Sequence, residues 1–372
     1  MFIVIFILTL LVLVVIHELG HFLMAKKFHI KVLEFGFGIP PRAWGKKIGE
    51  TIYSLNWLPF GGFVRLLGED DVDKKILENK HSFASQAAWK RISVVIAGVI
   101  MNLLLAWILF YVVIIYNGFK IVIPSPEPLI IVDQVESNSP AQTAGLKVGD
   151  RILAINDQFV KEQKTLVQKI KQDAGKPTSL AISDWQGNHI KKITVIPREN
   201  PPVGQGALGI ALSPFAFMEF NSLPEKIFSA PVYSYQLVKL TFLGLGQLFS
   251  SLGSGDLGKA SQQVAGPIGI AVMTRDIVSQ GLAAIIPYLY FVGVLSLTLS
   301  IMNVLPIPAL DGGRLFFLLV EAITRKKVHP TFERYVHSVG MVALLALIVI
   351  ISISDAQKYI LPKLSTFLHF SL

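Results

Sequence analysis

The chain has 372 residues, of which 52% are hydrophobic and only 16% charged, and its mean hydropathy of +0.57 excludes an ordinary soluble protein. Its net charge of +9 is gathered beside apolar runs, which fits membrane topology and anionic headgroups and argues against a nucleic-acid partner. With no cysteine there can be no disulfide, no thiolate metal site and no cysteine nucleophile, so any metal must be held by His, Asp or Glu.

The first predicted element is an apolar helix over residues 2–25, followed by Lys26, Lys27 and Lys31. A secretory signal peptide would carry basic residues before its apolar core and a small-x-small cleavage site after it. Neither pattern is present, so the segment is expected to stay as a transmembrane helix with its N-terminus outside and the lysines in the cytoplasm. Near its end lies HELGH, residues 17–21. His17 and His21 share one helix face a turn apart, spaced to grip one Zn²⁺ through both imidazoles. Glu18 points beside the metal, where it can take a proton from water. Three ionisable groups in lipid are costly unless paired or metal-bound. At ~1.5 Å rise per residue His17 lies ~24 Å from the helix start, inside a ~30 Å hydrocarbon core and nearer its cytoplasmic face.

Residues 33–68 hold "FGFGIP" and "YSLNWLPFGGFVRLLGE", alternating and glycine-rich, and read as a cytoplasmic-side β-hairpin. A second transmembrane helix follows over residues 92–116, and the two spans with the hairpin form a first block of the membrane core, residues 1–120. Residues 121–200 alternate β-rich stretches with turns and one helical pattern near 165–172; "SNSPAQTAGLKVGDRILAINDQ" within them resembles a PDZ domain, which binds extended peptide ends by strand addition. Residues 201–281 are expected to be an extracytoplasmic segment whose stretch 225–252 is amphipathic, with Lys239 and Pro231 favouring an interfacial position over a further span. A second block of the membrane core, residues 282–372, contains helices over 282–305 and 336–353. The cluster Arg325, Lys326 and Lys327 between them stays inside if four spans are counted, which leaves both termini outside.

The third ligand that zinc requires is sought in "NVLPIPALDGG", residues 303–313. Pro306 and Pro308 break the helix, and broken backbone at membrane depth is tolerated where it lines a wet cavity. Asp311 would cap a new helix beginning near Gly312 and turn its carboxylate to that cavity. Asp276, Asp355 and Glu321 lie less favourably for the role.

HELGH in a first membrane helix, a PDZ-like module and N-x-x-P-x-P-x-L-D-G-G in a later helix together resemble the site-2 protease family of intramembrane zinc metalloproteases, most closely its bacterial single-PDZ members of the regulator of sigma-E protease type. The resemblance spans residues 10 to about 320. It implies a polytopic α-helical membrane protein with four transmembrane helices, a membrane-associated β-hairpin on the cytoplasmic side and an extracytoplasmic PDZ-like α+β domain, in a bacterial inner membrane. It implies one Zn²⁺ per chain on His17, His21 and Asp311, with Glu18 as acid/base. Asn303 matches an asparagine that holds the substrate backbone or oxyanion, and Asn102 of "AGVIMN" one that reaches toward substrate, although an interhelical hydrogen bond near Gly98 would account for Asn102 equally. Gly36, Phe37 and Gly38, with Gly61 and Gly62, match the substrate-binding loop and hairpin; a hairpin without catalytic consequence is the alternative. "AGPIGI", residues 265–270, recurs in the family and has no role here beyond a turn. Substrates would be anti-sigma factors or signal-peptide remnants with a single span, trimmed first by a site-1-type protease. Two other readings stay open, an intramembrane metal transporter and an inactive PDZ scaffold.

Overall fold

The computed structural model describes residues 2–69, 73–123, 129–184, 187–202, 204–213, 215–254, 265–326 and 328–359; Lys327 and the tail beyond residue 359 lie outside them. In chain order the elements are α1 (Phe2–Lys27), β1 (Val32–Ile48), β2 (Thr51–Leu66), α2 (Lys74–Leu77), α3 (Ala88–Tyr116), β3 (Lys120–Ile123) and β4 (Ile131–Val135). Then come α4 (Pro140–Thr143), β5 (Arg151–Ile155), β6 (Gln158–Phe159), α5 (Gln163–Gln172), β7 (Thr178–Ser183), β8 (Lys191–Val195), β9 (Ile210–Ser213) and β10 (Ala216–Glu219). The chain ends with α6 (Leu223–Ile227), α7 (Ser229–Gly253), α8 (Pro267–Val278), α9 (Ile285–Val304), α10 (Asp311–Thr324) and α11 (Pro330–Tyr359). Two compact units result, one of Met1–Val113 with Ala230–Leu372, the other of Ile114–Ser229.

Among the described residues four helices are long and apolar enough to cross a membrane: Phe2–Lys27, Ala88–Tyr116, Gly281–Val304 and Thr331–Tyr359. They coincide with the expected spans, the second and fourth being longer than their apolar cores. Between such helices packing and hydrogen bonds replace the hydrophobic drive. Accordingly Ser296 and Ser300 of α9 donate to the carbonyls of Asn102 and Val99 on α3 at 2.7 and 3.0 Å. Thr9, the one hydroxyl in the first half of α1, donates to the Ile5 carbonyl and meets the Tyr288 hydroxyl. At the lysine-rich end of α1, Arg91 pairs with Glu321 at 2.5 Å, their side chains 9% and 15% exposed, and Arg314 pairs with Glu69. These pairs tie α10 to the start of α3 and to the end of β2.

The stretch expected to be amphipathic is helical, as α6 and α7, but the first turns of α7 are buried. Tyr233 is fully enclosed, its ring edge on Phe110 and its hydroxyl 2.8 Å from that of Tyr290. "AGPIGI" acquires a structural role. Gly266 is the N-cap of α8, and the buried Asp355 carboxylate accepts the Gly269 N–H at 2.7 Å, placing negative charge at a helix N-terminus.

The expected hairpin over 33–68 is more folded than two strands. Residues 34–37 pair on one side with 62–65 and on the other with 52–55, while 42–48 pair with 51–56. Both strands therefore double back, near Pro40 and near Gly61, each interruption being legible only as a Pro or Gly inside an alternating run. Residues 32–37 become an inner strand, and residues 62–66 have no second strand partner among the described residues.

In the second unit an antiparallel sheet of order β8-β7-β5-β4-β9, with β6 beside β5, is covered by α5 through Leu166 and Ile170. Ser139 caps α4, accepting the Gln142 N–H at 3.1 Å with Pro140 behind it, as the Ser-Pro signal predicts. The expected boundary at residue 200 cuts this sheet. β9 pairs with β4 and β10 with β3, so residues 201–229 belong here and not to the interfacial block 201–281. The Pro- and Gly-rich run 197–209 reads as a linker, and four-residue strands give too little alternation to see beyond it.

Because Arg91 and Glu321 are nearly buried, removing one leaves the other charge uncompensated. Glu321→Leu should lower stability by about 3 kcal/mol, and Arg91→Met in the same chain should restore most of it; thermal unfolding in detergent reads both.

Candidate metal centre

His17 and His21 lie one turn apart on α1 and their rings meet edge to face, centroids 4.7 Å apart. Asp311, at the start of α10, completes the group. His17 Nε2 lies 2.8 Å from Asp311 Oδ2, His21 Nε2 3.1 Å from the same oxygen, and the two Nε2 atoms 3.1 Å from each other. The three side chains are 9%, 12% and 23% exposed. Among the described residues this is the cluster of His, Asp and Glu that offers three ligand atoms within 4.8 Å of one another. The competing acids are occupied elsewhere, Asp355 on α8 and Glu321 on Arg91.

The second nitrogen of His21 assigns its tautomer. Nδ1 lies 2.8 Å from the Val94 carbonyl, which can only accept, so Nδ1 carries the proton and Nε2 presents a lone pair. That lone pair, the His17 ring nitrogen and a carboxylate oxygen converge at distances near the ~3.3 Å edge of a tetrahedron of zinc ligands. The donor set therefore fits Zn²⁺.

Two close approaches make the arrangement possible. A Cβ on Gly98 of α3 would stand 2.4 Å from His21 Nε2 and 2.8 Å from His17 Cε1, so only a bare backbone lets α3 pass behind the imidazoles. A Cβ on Gly312 would stand 1.9 Å from the Leu305 carbonyl, so the loop 305–310 can fold onto the first turn of α10. The loop is held from α11: the Ala309 N–H, on a residue with φ +74°, donates to His337 Nδ1 at 3.0 Å. Asp311 itself is the first residue of α10 with Leu310 as N-cap, correcting the expected cap. Its carboxylate is committed to the histidines.

A cavity of about 220 Å³ opens beside the cluster, lined by Glu18, Asn102, Leu299 and Asn303 with His17 and Asp311. Asn102 is 1% exposed, and among the described residues neither its Nδ2 nor its Oδ1 has a hydrogen-bond partner. The interhelical bond at this position uses its backbone carbonyl, so the amide stays available to a molecule in the cavity. Asn303 follows Ser296 and Ser300 on the same face of α9. Of the ribbon glycines, Gly62 comes close: its Cβ position lies 3.7 Å from Glu18 Cγ, and that of Gly61 lies 3.9 Å from Val14. Gly36, Phe37 and Gly38 do not reach the cavity. Gly36 and Phe37 are paired on both sides, and the carbonyls of Phe37 and Gly38 accept from Asn56 Nδ2 at 3.2 and 3.1 Å. Gly98 as a support of the imidazoles and His337 escaped sequence reading: a small residue in a span and a lone histidine at a helix start carry no spacing signal.

The model of peptidase family M50 matches residues 5–347. A protein of Clostridium acetobutylicum named as a proposed zinc metalloprotease is 34% identical over 95% of this chain and 96% of its own length. The zinc metalloprotease RasP of Geobacillus kaustophilus and the regulator of sigma-W protease RasP of Bacillus subtilis are each 28% identical over 94% of this chain and 96% of their own lengths.

Gly98→Ala should weaken zinc binding by about tenfold or more, as displaced imidazoles lose their alignment. Metal analysis of the purified variant after dialysis against a weak chelator reads this, and a wild-type zinc content would show the contact to be unimportant.

Proposed function

The chain belongs to peptidase family M50 and is a zinc metalloprotease of the membrane, and from that premise we propose that it hydrolyses peptide bonds within the transmembrane segments of single-span proteins. The observation that carries this reading is the convergence of His17, His21 and Asp311 beside Glu18 inside an apolar helical bundle. His17, His21 and Asp311 would hold the zinc ion. When bound, zinc supplies Lewis-acid polarisation of the scissile carbonyl and makes water acidic at neutral pH. Glu18 takes a proton from the attacking water and returns it to the amine nitrogen as the C–N bond breaks, leaving a carboxylate and an amine. The Asn303 and Asn102 amides, in the same cavity, orient the substrate backbone and receive the developing oxyanion.

A transmembrane helix cannot be cut until its carbonyls leave their own hydrogen bonds, and a strand edge can take them over. Residues 62–66 supply that edge. The Leu66 N–H donates to Glu69 Oε2 at 3.3 Å and not to β1, so by the alternation of an antiparallel pair the backbone groups of Gly62 and Val64 also face outward. The ribbon tip exposes Trp44, Trp57 and Leu58, which suits a membrane-associated position.

Substrates would be anti-sigma factors, as the name of the Bacillus subtilis relative suggests, or signal-peptide remnants, shortened beforehand by a site-1-type protease. The unit Ile114–Ser229, with its Ser-Pro-capped α4, Gly149-Asp150 before β5 and α5 on the sheet, is read as a PDZ-like filter that admits trimmed chains. The basic residues after α1 and around 325–334 favour a bacterial inner-membrane topology with both termini outside and the site toward the cytoplasm.

Glu18→Gln should retain zinc and lower the cutting of a purified single-span substrate by about two to four orders of magnitude; a wild-type rate with zinc retained would refute the assignment. Val64→Pro removes an outward N–H without touching the pairing to β1, so zinc content should persist while cleavage falls at least about tenfold. An unchanged rate would deny the edge its role.

A further inference from the structure

Residues 62–66 of β2 alternate between two faces of the ribbon. Val64 and Leu66 turn into the buried cluster of Ala25, Val32 and Val94 beside α1. Phe63 and Arg65 turn the other way, with Gly36 and Glu34 opposite them in register. On that second face lies a cavity of about 610 Å³, lined by Glu34, Ile39, Arg42, Phe63 and Arg65 and sharing Gly62 with the edge that approaches Glu18.

The cavity is chemically uneven. Glu34 is 5% exposed, and its carboxylate receives Arg42 through Nη2 at 2.6 Å and Nε at 3.2 Å. Arg65 approaches the other oxygen at 3.7 Å, with a side chain 59% exposed. Two guanidiniums face one carboxylate, so the cavity carries a net positive charge. The Arg65 fork, beyond hydrogen-bond distance of Glu34, keeps donors for another acceptor. The Phe63 ring lies over Gly36, and with Ile39 it makes the other wall apolar.

We propose that this cavity is a specificity subsite that selects an acidic side chain in the substrate. The inference rests on strand addition at Gly62–Arg65 and goes one step further. In an added strand, the residue opposite Phe63 points to the apolar wall, and the residue two positions away, opposite Arg65, points to the guanidinium. Asp or Glu is favoured there and Lys or Arg repelled. The same chemistry would suit an anionic lipid headgroup, but the cavity shares Gly62, Phe63 and Arg65 with the edge strand itself, so a peptide paired in register with that strand brings its side chains to it.

The test uses the full-length zinc-loaded protein in nanodiscs of zwitterionic lipid, with and without anionic lipid. Its substrates are single-span peptides carrying Glu, Gln or Lys in turn at each position around the scissile bond. At one position kcat/KM should fall about fivefold from Glu to Lys. Arg65→Gln should flatten that preference and Arg65→Glu should invert it toward Lys, each with wild-type zinc content. The zinc-loaded Glu18→Gln variant, expected to cut far more slowly, should bind the peptides in the same order. Chelator-sensitive cutting without any position that senses charge overturns the subsite and leaves the protease reading intact. A Glu preference that survives Arg65→Glu, or Arg65 variants that respond to anionic lipid and not to peptide charge, overturns it as well.

Discussion

The structure depends on the cost of placing His17, Glu18, His21 and Asp311 inside an apolar helical bundle. Separately, each would be an isolated polar or charged group in a low dielectric, where the penalty amounts to several kcal/mol. Brought together they answer one another: Asp311 Oδ2 is within 3.1 Å of both imidazoles, and the second nitrogen of His21 is committed to a backbone carbonyl. Much of the surrounding packing serves this convergence. α3 presents Gly98 where any side chain would strike the imidazoles, and the serines of α9 fix that helix against α3 on the face that continues to Asn303.

Bringing a carboxylate from residue 311 to histidines on the first helix requires the chain to stop being helical, and the interrupted backbone needs new hydrogen-bond partners. The loop 305–310 does so locally and by borrowing. The Ile307 N–H donates to the Leu305 carbonyl at 2.6 Å, that of Leu310 to Ile307 at 3.2 Å, and that of Gly313 to Leu310 at 3.1 Å. Ala309, in a left-handed conformation that strains a residue with a Cβ, gives its N–H to His337. The last helix thus takes part in the centre without offering a ligand, and its Gly340 packs against Pro308 on the same loop.

The spans, the histidine pair, its carboxylate partner and the mixed module were legible because each leaves a periodic or spaced signal: apolar runs of span length, HExxH, a Pro-broken helix followed by Asp-Gly-Gly, short alternating stretches. What stayed hidden is tertiary. A glycine at residue 98 reads as a small residue among many until a histidine from another helix is laid on it. His337 stands alone in its sequence neighbourhood. The ribbon is legible as a hairpin but its register is not: alternation announces strands and says nothing of which residues are enclosed, and the placement of Gly36–Gly38 inside while Gly62 meets Glu18 has no sequence signal. The sheet strand β9 carries no signal for the opposite reason, being too short to alternate.

If a substrate helix is opened against residues 62–66, as proposed, their register limits how much of it can be held at a time. Every backbone group freed from an α-helix in a dry setting needs a new partner, and Gly62 and Val64 face outward with two N–H and two C=O groups between them. The edge ends at Leu66, whose N–H belongs to Glu69, and Glu69 is tied to Arg314 on the helix that begins with Asp311. On the proposed strand addition only a short stretch of unwound chain would be supported, beside the point where Gly62 runs past Glu18. Glu69 also links the two halves of the site, since its carboxylate meets both the end of β2 and Arg314 on the helix that begins with Asp311. On the same proposal, a segment unwound elsewhere would leave its carbonyls unsatisfied and lie away from Glu18, so the length of the edge would restrict where cutting occurs.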